Sequence, residues 1–393
     1  MRIVFITQVY PPDSAAVGQY IEDAAVELAG RGHEVLVLTS SRDYDNPQVR
    51  HAVTSKHPNI RVVRIPFSSF GKKNIIRRIL AQTFFLSQAI VKLLLCRGVH
   101  GVVVTTIPAT TGVFFLAAHF LRKLPYAYWV MDINPDQAIE AGYISRRSVA
   151  AKVLKFINDR LGRGAQKVIC LDEEMRTRVG LSRDVEVIPP WSLDNDLRAV
   201  PKDTNSFVAE HDLTQKFVFM YSGNHSLVHP LGPLLSAVID VDISSDVKFV
   251  FVGGGAGKQD VEEARRSSAG KKIVSLPYQS LEAIKYSLSA ADVHIVSFGE
   301  AMVGLVHPSK FYSAIALGKP ILYLGPAESA LGRIVERHSI GWCVPHGAQA
   351  ALEELLRTIP DLSKKDLLEM GERAQCLAQQ RYSRELLCGR VCD

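Results

Sequence analysis

A lysine stands at an unfavourable place in the stretch HPSKFYSAIALGKPILYLG, residues 307–325. Ser309 is suited to cap the start of a helix, and Gly318 and Pro320 are suited to end it, which frames about two and a half turns. Lys310 then lies in the first turn, where the helix dipole is positive and a cation is disfavoured. The pattern therefore predicts that a negatively charged ligand approaches Lys310.

Glycine-rich turns offer a second place for an anion. In the sequence SGN, residues 222–224, Gly223 follows a strand and lets the backbone approach a phosphate closely, while Asn224 can donate a hydrogen bond. The run GGGAG at 253–257 is either a phosphate contact or simply a flexible turn. Neither run has the GxGxxG fingerprint, and the turn after the first strand has a single glycine before the helix, so hydride chemistry on NAD has little support.

Two carboxylates are candidates for proton chemistry. Asp132 is predicted at the end of a strand, and Asp136 follows four residues later. At a strand edge facing a cleft they can orient an acceptor hydroxyl or assist its deprotonation. The open alternative is a turn in which Asp132 caps backbone groups before Pro135. The DxxxD spacing is not a metal-binding DxD, and the six cysteines form no CxxC pair, so no metal is predicted.

The elements that must position these residues alternate between apolar strands and helices in both halves of the 393-residue chain. We predict two doubly wound parallel sheets, divided by an irregular linker at 192–216, with ligands at the carboxyl ends of the strands and a cleft between the halves. The predicted domains are 1–198 and 199–375, and the closing helical segment 376–393 is expected to pack back across the junction.

Charge is unevenly distributed. The net charge is +6, but residues 46–131 contain twelve Lys or Arg and no Asp or Glu, so the rest of the chain sums to −6. Residues 72–97 place four cations (Lys72, Lys73, Arg77 and Arg78) ahead of an apolar helix, which is typical of binding to an anionic membrane surface. Buried helices with solvated lysines are the alternative. Nucleic acid is not indicated, because the cations are embedded among aliphatic residues. The N-terminus lacks signal-peptide features, and the scattered cysteines fit a reducing cytoplasm.

Five segments together resemble family 4 glycosyltransferases of the GT-B fold, in the order seen in that family. They are PPDSAAVGQYIEDAAVELAGRGHEVLVLTS, VMDINPDQAIEAG, YSGNHSLVHPLGPLL, FVGGGAGK and HPSKFYSAIALGKPI. Within the family they resemble the WbuB type of bacterial surface-polysaccharide sugar transferase. The resemblance implies a Rossmann-like acceptor-binding domain followed by a Rossmann-like nucleotide-sugar domain. It also implies transfer with retention of configuration, usually without metal, from a nucleotide-sugar substrate, with a UDP-sugar favoured and no further cofactor.

Through this resemblance, the anion expected at Lys310 is the donor diphosphate. Lys310 joins Asp132 and Asp136 as a catalytic candidate. Many relatives carry two glutamates eight positions apart before the GKP, but here Leu305 and Ser313 stand there, so the ribose contact falls to Ser313 or Glu328. Glu328, predicted in the first turn of the next helix, is equally well explained by the dipole. The donor-binding candidates are Gly18, Gly223, Asn224, His225, Lys258, Pro308, Ser309, Lys310, Ser313 and Glu328.

The resulting prediction is a retaining glycosyltransferase that acts on a membrane-associated, lipid-linked glycan acceptor. It is expected in the cytoplasm, on the inner face of the cell membrane. Two alternatives remain open: a nucleotide-sugar epimerase on the same architecture, and a non-catalytic nucleotide-sugar-binding relative. The donor sugar, its base, the acceptor and the oligomeric state depend on pocket shape and surface, which the sequence pattern does not specify.

Overall fold

A computed structural model describes residues 1–13, 15–43, 46, 48–53, 55–66, 68, 75–181, 184–192, 198–267, 271–280 and 282–393, apart from the side chains of residues 75, 76 and 78. The chain forms two compact units. The first comprises Met1–Pro189, Gly304–His307 and Glu385–Asp393, and the second comprises Pro190–Val303 and Pro308–Arg384. These bounds differ from those of the domains predicted at 1–198, 199–375 and 376–393, which stay predictions.

A seven-stranded parallel sheet organises the first unit. Its strands are β1 (Arg2–Ile6), β2 (Glu34–Ser40), β3 (Ile60–Ile65), β4 (Gly101–Thr105), β5 (Tyr126–Trp129), β6 (Lys167–Cys170) and β7 (Glu186–Val187). Their spatial order is β3-β2-β1-β4-β5-β6-β7, and Val4 pairs with Leu36 on one side and with Val102 on the other. Strand order therefore reverses at β1, which is the place where doubly wound sheets bind ligands at their carboxyl edge.

The helices of the first unit bury apolar faces against that sheet. They are α1 (Ala16–Gly30), α2 (Ile75–Leu95), α3 (Thr111–Arg122), α4 (Asp136–Glu140), α5 (Val149–Gly164) and α6 (Glu173–Val179). From α2, Phe85, Leu86, Ala89 and Leu93 enter the core beside Val4. Their spacing of three to four residues gives α2 one buried stripe and leaves its other face to solvent.

The second unit repeats the design with six parallel strands. They are β8 (Phe217–Ser222), β9 (Val247–Val252), β10 (Ile273–Leu276), β11 (Val293–Ser297), β12 (Ile321–Leu324) and β13 (Gly341–Val344), in the order β10-β9-β8-β11-β12-β13. The helices are α7 (Ser206–Glu210), α8 (Gly232–Asp240), α9 (Lys258–Arg266), α10 (Ile284–Ser289), α11 (Lys310–Ala316), α12 (Ala330–Arg337), α13 (Gln349–Thr358) and α14 (Lys364–Arg381). Short 3-10 turns cover Lys202–Thr204, Glu300–Met302 and Ile359–Asp361.

The last helix, α15 (Arg384–Cys392), carries the end of the chain into the first unit. Arg31, which follows the last residue of α1, contacts the Asp393 carboxylate at 2.7 Å, and Lys167 on β6 donates to the carbonyl oxygen of Arg390 at 2.9 Å. Arg390 in turn pairs with Glu186 on β7. These ion pairs fix residues 385–393 against the helix and strands of that unit.

Three local expectations were wrong. The linker contains a 3-10 turn and helix α7, which begins where the Asn205 side chain accepts the amides of Phe207 and Val208. Strand β5 ends at Trp129, three residues before Asp132. Strand β13 and helix α13 were not anticipated after Gly341. Within the described part of the chain, no helix is long and apolar enough to cross a membrane.

Candidate functional site

Two glycine turns meet at the carboxyl ends of β8 and β9 in the second unit. Gly223 and Gly253 have φ values of +130° and +134°, a region that disfavours residues with a Cβ. A Cβ on Gly253 would lie 2.0 Å from the carbonyl oxygen of Gly223. The Gly223 amide donates to Val252 at 2.9 Å. Only glycine at position 253 allows the two turns to pack backbone against backbone.

His225 is buried between these turns. Its amide donates to the carbonyl of Gly254 at 2.7 Å, and Nδ1 of its ring lies 3.3 Å from the same oxygen. Burial, followed by the charges of Lys258 and Lys310, lowers the pKa of the ring to about 4, so it is neutral at pH 7. Among the described residues, Nε2 has no hydrogen-bond partner.

Lys310 is the first residue of α11, which follows β11 in the same unit. Its side chain extends toward the two glycine turns. Its Nζ donates to the Tyr221 hydroxyl at 2.6 Å and lies 3.8 Å from the centre of the Tyr221 ring. The hydroxyl then donates to the carbonyl of Asn224 at 2.7 Å. Burial lowers the pKa of Lys310 well below its usual value, and no carboxylate within the described residues offsets that shift.

The bare glycine at position 223 leaves space beside this amine. A Cβ built there would lie 3.4 Å from both Cε and Nζ of Lys310, which is van der Waals contact. A partly buried ammonium whose nearest partner is a neutral hydroxyl is poorly compensated, because charges taken out of water need opposite charge. The geometry therefore favours an anion beside Lys310 and Gly223.

The helix start differs from the prediction. Ser309 has helical backbone angles (φ −63°, ψ −24°), and its side chain makes no capping hydrogen bond, so the expected Ser309 cap is wrong. Instead the carbonyls of Pro308 and Ser309 accept the amides of Phe311 and Tyr312 at 3.4 and 3.1 Å. Helix α11 spans seven residues, so its dipole is short, and the ammonium of Lys310 is the main positive charge.

Other predicted donor residues are placed less favourably. Lys258 commits its Nζ to the carbonyl oxygen of Leu276 at 2.7 Å, although its charge still acts on His225. Glu328 is exposed and precedes the true cap of α12, which is Ser329, so its placement in the first turn was wrong. Ser313 is half-buried, and no described contact joins its side chain to Lys310 or Gly223.

Two further residues of this area were not among the predicted donor residues. Tyr221 is fully buried and carries the contact to Lys310. His229 directs Nδ1 to the carbonyl of Ser297 at 2.8 Å, so Nδ1 is the donor and Nε2 keeps a lone pair. Burial and the charge of Lys310 lower the pKa of His229 well below its usual value. The sequence HSLVHP after SGN could have indicated His229. Tyr221 could not have been predicted in this way, because in the sequence it resembles any other residue of an apolar strand.

In the first unit, Asp132 lies in the loop after β5. The backbone amides of Met131 and Asp132 both donate to the Thr106 hydroxyl oxygen, at 3.1 and 3.0 Å, so Thr106 performs the capping considered for Asp132. Burial raises the pKa of the Asp132 carboxyl to about 6. Asp136 begins α4, as its acidic first-turn residue. Asp132 is thus a buried carboxyl with a raised pKa in the loop that follows β5.

The space beside Gly18 is filled by the backbone of the protein itself. Gly18 is buried in α1, and a Cβ there would lie 3.0 Å from N and Cα of Tyr10. The close approach expected of a sugar or phosphate is made by the backbone of residues 9 and 10. A packing requirement therefore accounts for this glycine without a ligand.

Comparison with known proteins finds a family to which the first half of the chain is similar. Residues 15–191 match a family model described as a glycosyl transferase 4-like domain. The chain is 26% identical over 332 residues to the probable glycosyltransferase WbjE of Pseudomonas aeruginosa, covering 83% of this chain and 82% of WbjE. It is 23% identical over 410 residues to the putative colanic acid biosynthesis glycosyl transferase WcaI of Escherichia coli strain K12, covering 98% and 99%.

Solved structures share the fold over the full length. The glycosyltransferase WaaG, involved in lipopolysaccharide biosynthesis, has a TM-score of 0.73 at 15% identity and covers 100% of this chain and 98% of its own. HepE of Anabaena, crystallised with UDP-glucose, has a TM-score of 0.70 at 16% identity, with the same coverage. The predicted family 4 resemblance, the GT-B α/β fold and the assignment as a glycosyltransferase are confirmed. The narrower WbuB type stays a prediction.

Proposed function

We propose that this glycosyltransferase moves a sugar from a nucleotide-sugar, a UDP-sugar in the first instance, to a lipid-linked glycan acceptor in cell-surface polysaccharide synthesis. Transfer would proceed with retention of configuration and without a metal ion in the reaction step. The names of WcaI and WaaG support a surface-polysaccharide role, and the UDP-glucose complex of HepE supports the donor class.

The observation that carries the proposal is the Lys310 ammonium beside Gly223. A diphosphate oxygen placed in the space that a Cβ would fill would contact Nζ directly. As the nucleotide leaves, negative charge grows on that diphosphate, and a preorganised cation stabilises it most in a site that excludes water. Tyr221 holds the amine in place by its hydroxyl and ring.

Neutral histidines complete the proposed donor site. The lone pair on Nε2 of His229 can accept a hydroxyl from the sugar or ribose, since Nδ1 is committed to Ser297. His225 holds the two glycine turns together through Gly254. Ser313 and Glu328, proposed from the family resemblance for the ribose, have no described contact with this group and remain the least supported donor residues.

On the acceptor side, we propose that Asp132 orients or deprotonates the attacking hydroxyl. A carboxyl whose pKa burial has raised to about 6 is a better base near neutral pH than one of ordinary pKa, and it is still ionised at pH 7. Asp136, four residues further on, is the second carboxylate available for orientation.

The test is donor-dependent transfer. UDP should raise the unfolding temperature, and a UDP-sugar should be consumed faster when vesicles carrying a lipid-linked glycan are added. Product with inverted configuration would refute the retaining mechanism. Sugar epimerisation without an acceptor would support the epimerase alternative. Nucleotide binding without transfer or hydrolysis, across a panel of donors and acceptors, would support the non-catalytic one.

The membrane part of the proposal concerns the outer faces of α2 and α3. The exposed apolar side chains there are Ile79, Leu80, Phe84, Val91, Leu95, Val113, Phe120 and Leu121. Phe120 and Leu95 are 84% and 76% exposed. Arg122 donates to the carbonyls of Leu93 and Cys96 at 2.8 and 2.7 Å, which holds the two helix ends together. Helix α2 is thus buried on one face, as the alternative of packed helices requires, and exposes apolar side chains on the other.

Cations border this apolar surface. Arg77, Lys92, Arg97 and Lys123 are exposed, whereas Lys72 and Lys73 lie outside the described residues, as does the side chain of Arg78. Apolar side chains next to cations, without acids, are suited to the headgroup region of an anionic bilayer. We propose that this surface binds the inner face of the cell membrane.

Vesicle binding should depend on both charges and apolar groups. Replacing Lys92 and Arg97 with glutamine should lower binding to anionic vesicles by roughly 10- to 30-fold at low salt, at about 1 kcal/mol per cation. Leu95→Ser should weaken binding at high salt as well, because its contribution is not screened. Leu368→Ser, an exposed leucine on α14, is the control. Equal sedimentation of all variants with vesicles would contradict the proposal.

A further inference from the structure

Three side chains of the first unit, none of them assigned above to sugar transfer, converge near the carboxyl ends of β1 and β2. Asp13 lies in the loop after β1, and Asp43 and His51 lie in the connection between β2 and β3. One ligand atom from each lies within 4.8 Å of the other two. Because β1 and β2 are adjacent parallel strands, their carboxyl ends bring these two loops side by side.

Both carboxylates are oriented by backbone amides. Oδ1 of Asp13 accepts the Ala15 amide at 3.0 Å, and Oδ1 of Asp43 accepts the Asn46 amide at 2.7 Å. The second oxygen of each faces the His51 ring, with Oδ2 of Asp43 at 3.5 Å and Oδ2 of Asp13 at 4.0 Å from Nε2. Anchoring one oxygen while the other points to a shared centre is how outer contacts orient metal ligands.

His51 supplies the observation that points to a ligand. Its side chain is 5% exposed, and in the described part of the chain its Nε2 has no hydrogen-bond partner. Its own backbone amide donates to the Ser41 carbonyl at 3.0 Å, which fixes its place in the loop. A buried ring nitrogen directed at two carboxylate oxygens without a hydrogen bond is costly unless something lies between them.

We propose that His51, Asp13 and Asp43 form a divalent metal site that takes Zn²⁺ or a chemically similar ion. Two ligands at the usual 2.0–2.1 Å from tetrahedral zinc lie about 3.4 Å apart. The observed separations of 3.5 and 4.0 Å therefore need only a small contraction. One imidazole and two carboxylates suit a borderline ion, and water can fill the fourth position.

Arg64 is the competing cation. Its guanidinium donates to the carbonyl oxygens of Tyr10, Pro11, Ser40 and Ala52, so it joins the same two loops through their backbones. The bound ion would tie the loop after β1 to the loop after β2, a structural role that is independent of the proposed sugar transfer.

Co²⁺ titration of the metal-free, full-length protein tests the site, because its absorption reports the ligands. We expect nitrogen and oxygen ligation without thiolate charge-transfer bands, although the chain has six free cysteines. Zn²⁺ at 100 times its Kd should raise the unfolding temperature by about 5 °C or more. Thiolate bands alone, or no stoichiometric binding, would overturn the proposal without any variant.

Substitutions then assign the ligands. Asp43→Asn keeps an oxygen for the Asn46 amide but removes the charge, and His51→Gln removes the ring. Each should weaken Co²⁺ and Zn²⁺ binding by more than about 10-fold, the smallest effect expected even of outer contacts. His57→Gln, at a half-buried histidine between β2 and β3 that is outside this cluster, should bind both ions as wild type does. Unchanged affinity in both ligand variants would place the metal elsewhere and overturn the assignment.

Discussion

Replacing Lys310 with methionine should lower the turnover rate for sugar transfer by roughly 100-fold or more, by analogy with the loss of one donor from an oxyanion site. The ammonium lies 2.6 Å from the Tyr221 hydroxyl and beside the space at Gly223, so the proposed diphosphate would lose its cation while the leaving charge develops. Methionine keeps most of the aliphatic stem, so packing against Tyr221 is largely preserved.

Stability without nucleotide should move in the opposite direction. Burial lowers the pKa of Lys310, so the folded chain gives up this proton more readily than the unfolded chain. The cost of holding the charged form is fully present below the folded pKa and is lost as pH rises toward the usual lysine value. Lys310→Met should therefore be as stable as wild type or more stable, with the gain largest at low pH.

Nucleotide binding gives this prediction a second readout. UDP favours the charged form of Lys310, so wild-type affinity should fall as pH rises through the lowered pKa of Lys310, and the variant should bind weakly with little pH dependence. Lys319→Met is the matched control, because burial also lowers the pKa of Lys319 but it lies three residues beyond the C-terminal end of α11. A Lys310 variant that is less stable yet fully active would show a structural lysine and misplaced donor phosphates.

Short-range patterns predicted most strands correctly, because runs such as EVLVLTS and VKFVFV are apolar, β-branched and bounded by turn residues. Strand β13 was not predicted, because it is short and mostly half-buried, and its sequence GWCV therefore shows no clear alternation of apolar and polar residues. Ser309 failed as a cap because its backbone is already helical, and a capping side chain needs an extended residue. The preference of serine for helix N-termini therefore predicted a suitable residue type at position 309, but it did not predict the backbone angles of that residue.

Only some residues of the candidate site could be predicted from the sequence. Lys310 was found because its charge contradicts the helix dipole, yet its partner Tyr221 is 89 positions earlier and is adjacent only because β8 and β11 pair. Asp13, Asp43 and His51 follow no motif spacing, and parallel β1 and β2 bring them together. Contacts between strand ends depend on strand order, which local patterns do not contain.

Both the transfer rate and the stability of the protein should depend on pH through the ionisation of Asp132. Asp132→Asn should lower the transfer rate by about 100-fold or more, the range for losing a positioned acid or base, with the donor KM little changed. The wild-type rate at subsaturating acceptor should rise with pH through about 6, where burial has placed the pKa of Asp132, and this rise should be absent in the variant.

The stability of Asp132→Asn supplies the independent check. Because burial raises the pKa from 3.8 to about 6, the folded state binds this proton more tightly than the unfolded chain, so stability falls as pH rises through that interval and the cost is complete above it. Asparagine removes the cost, so the variant should be more stable by about 1 to 3 kcal/mol at pH 7 and equal to wild type below pH 4. Asp159→Asn, a half-buried carboxylate on α5, should leave the transfer rate unchanged. If the Asp132 variant loses donor affinity in parallel with rate, the carboxylate serves the nucleotide-sugar and not the acceptor, because an acceptor base acts only after the donor is bound.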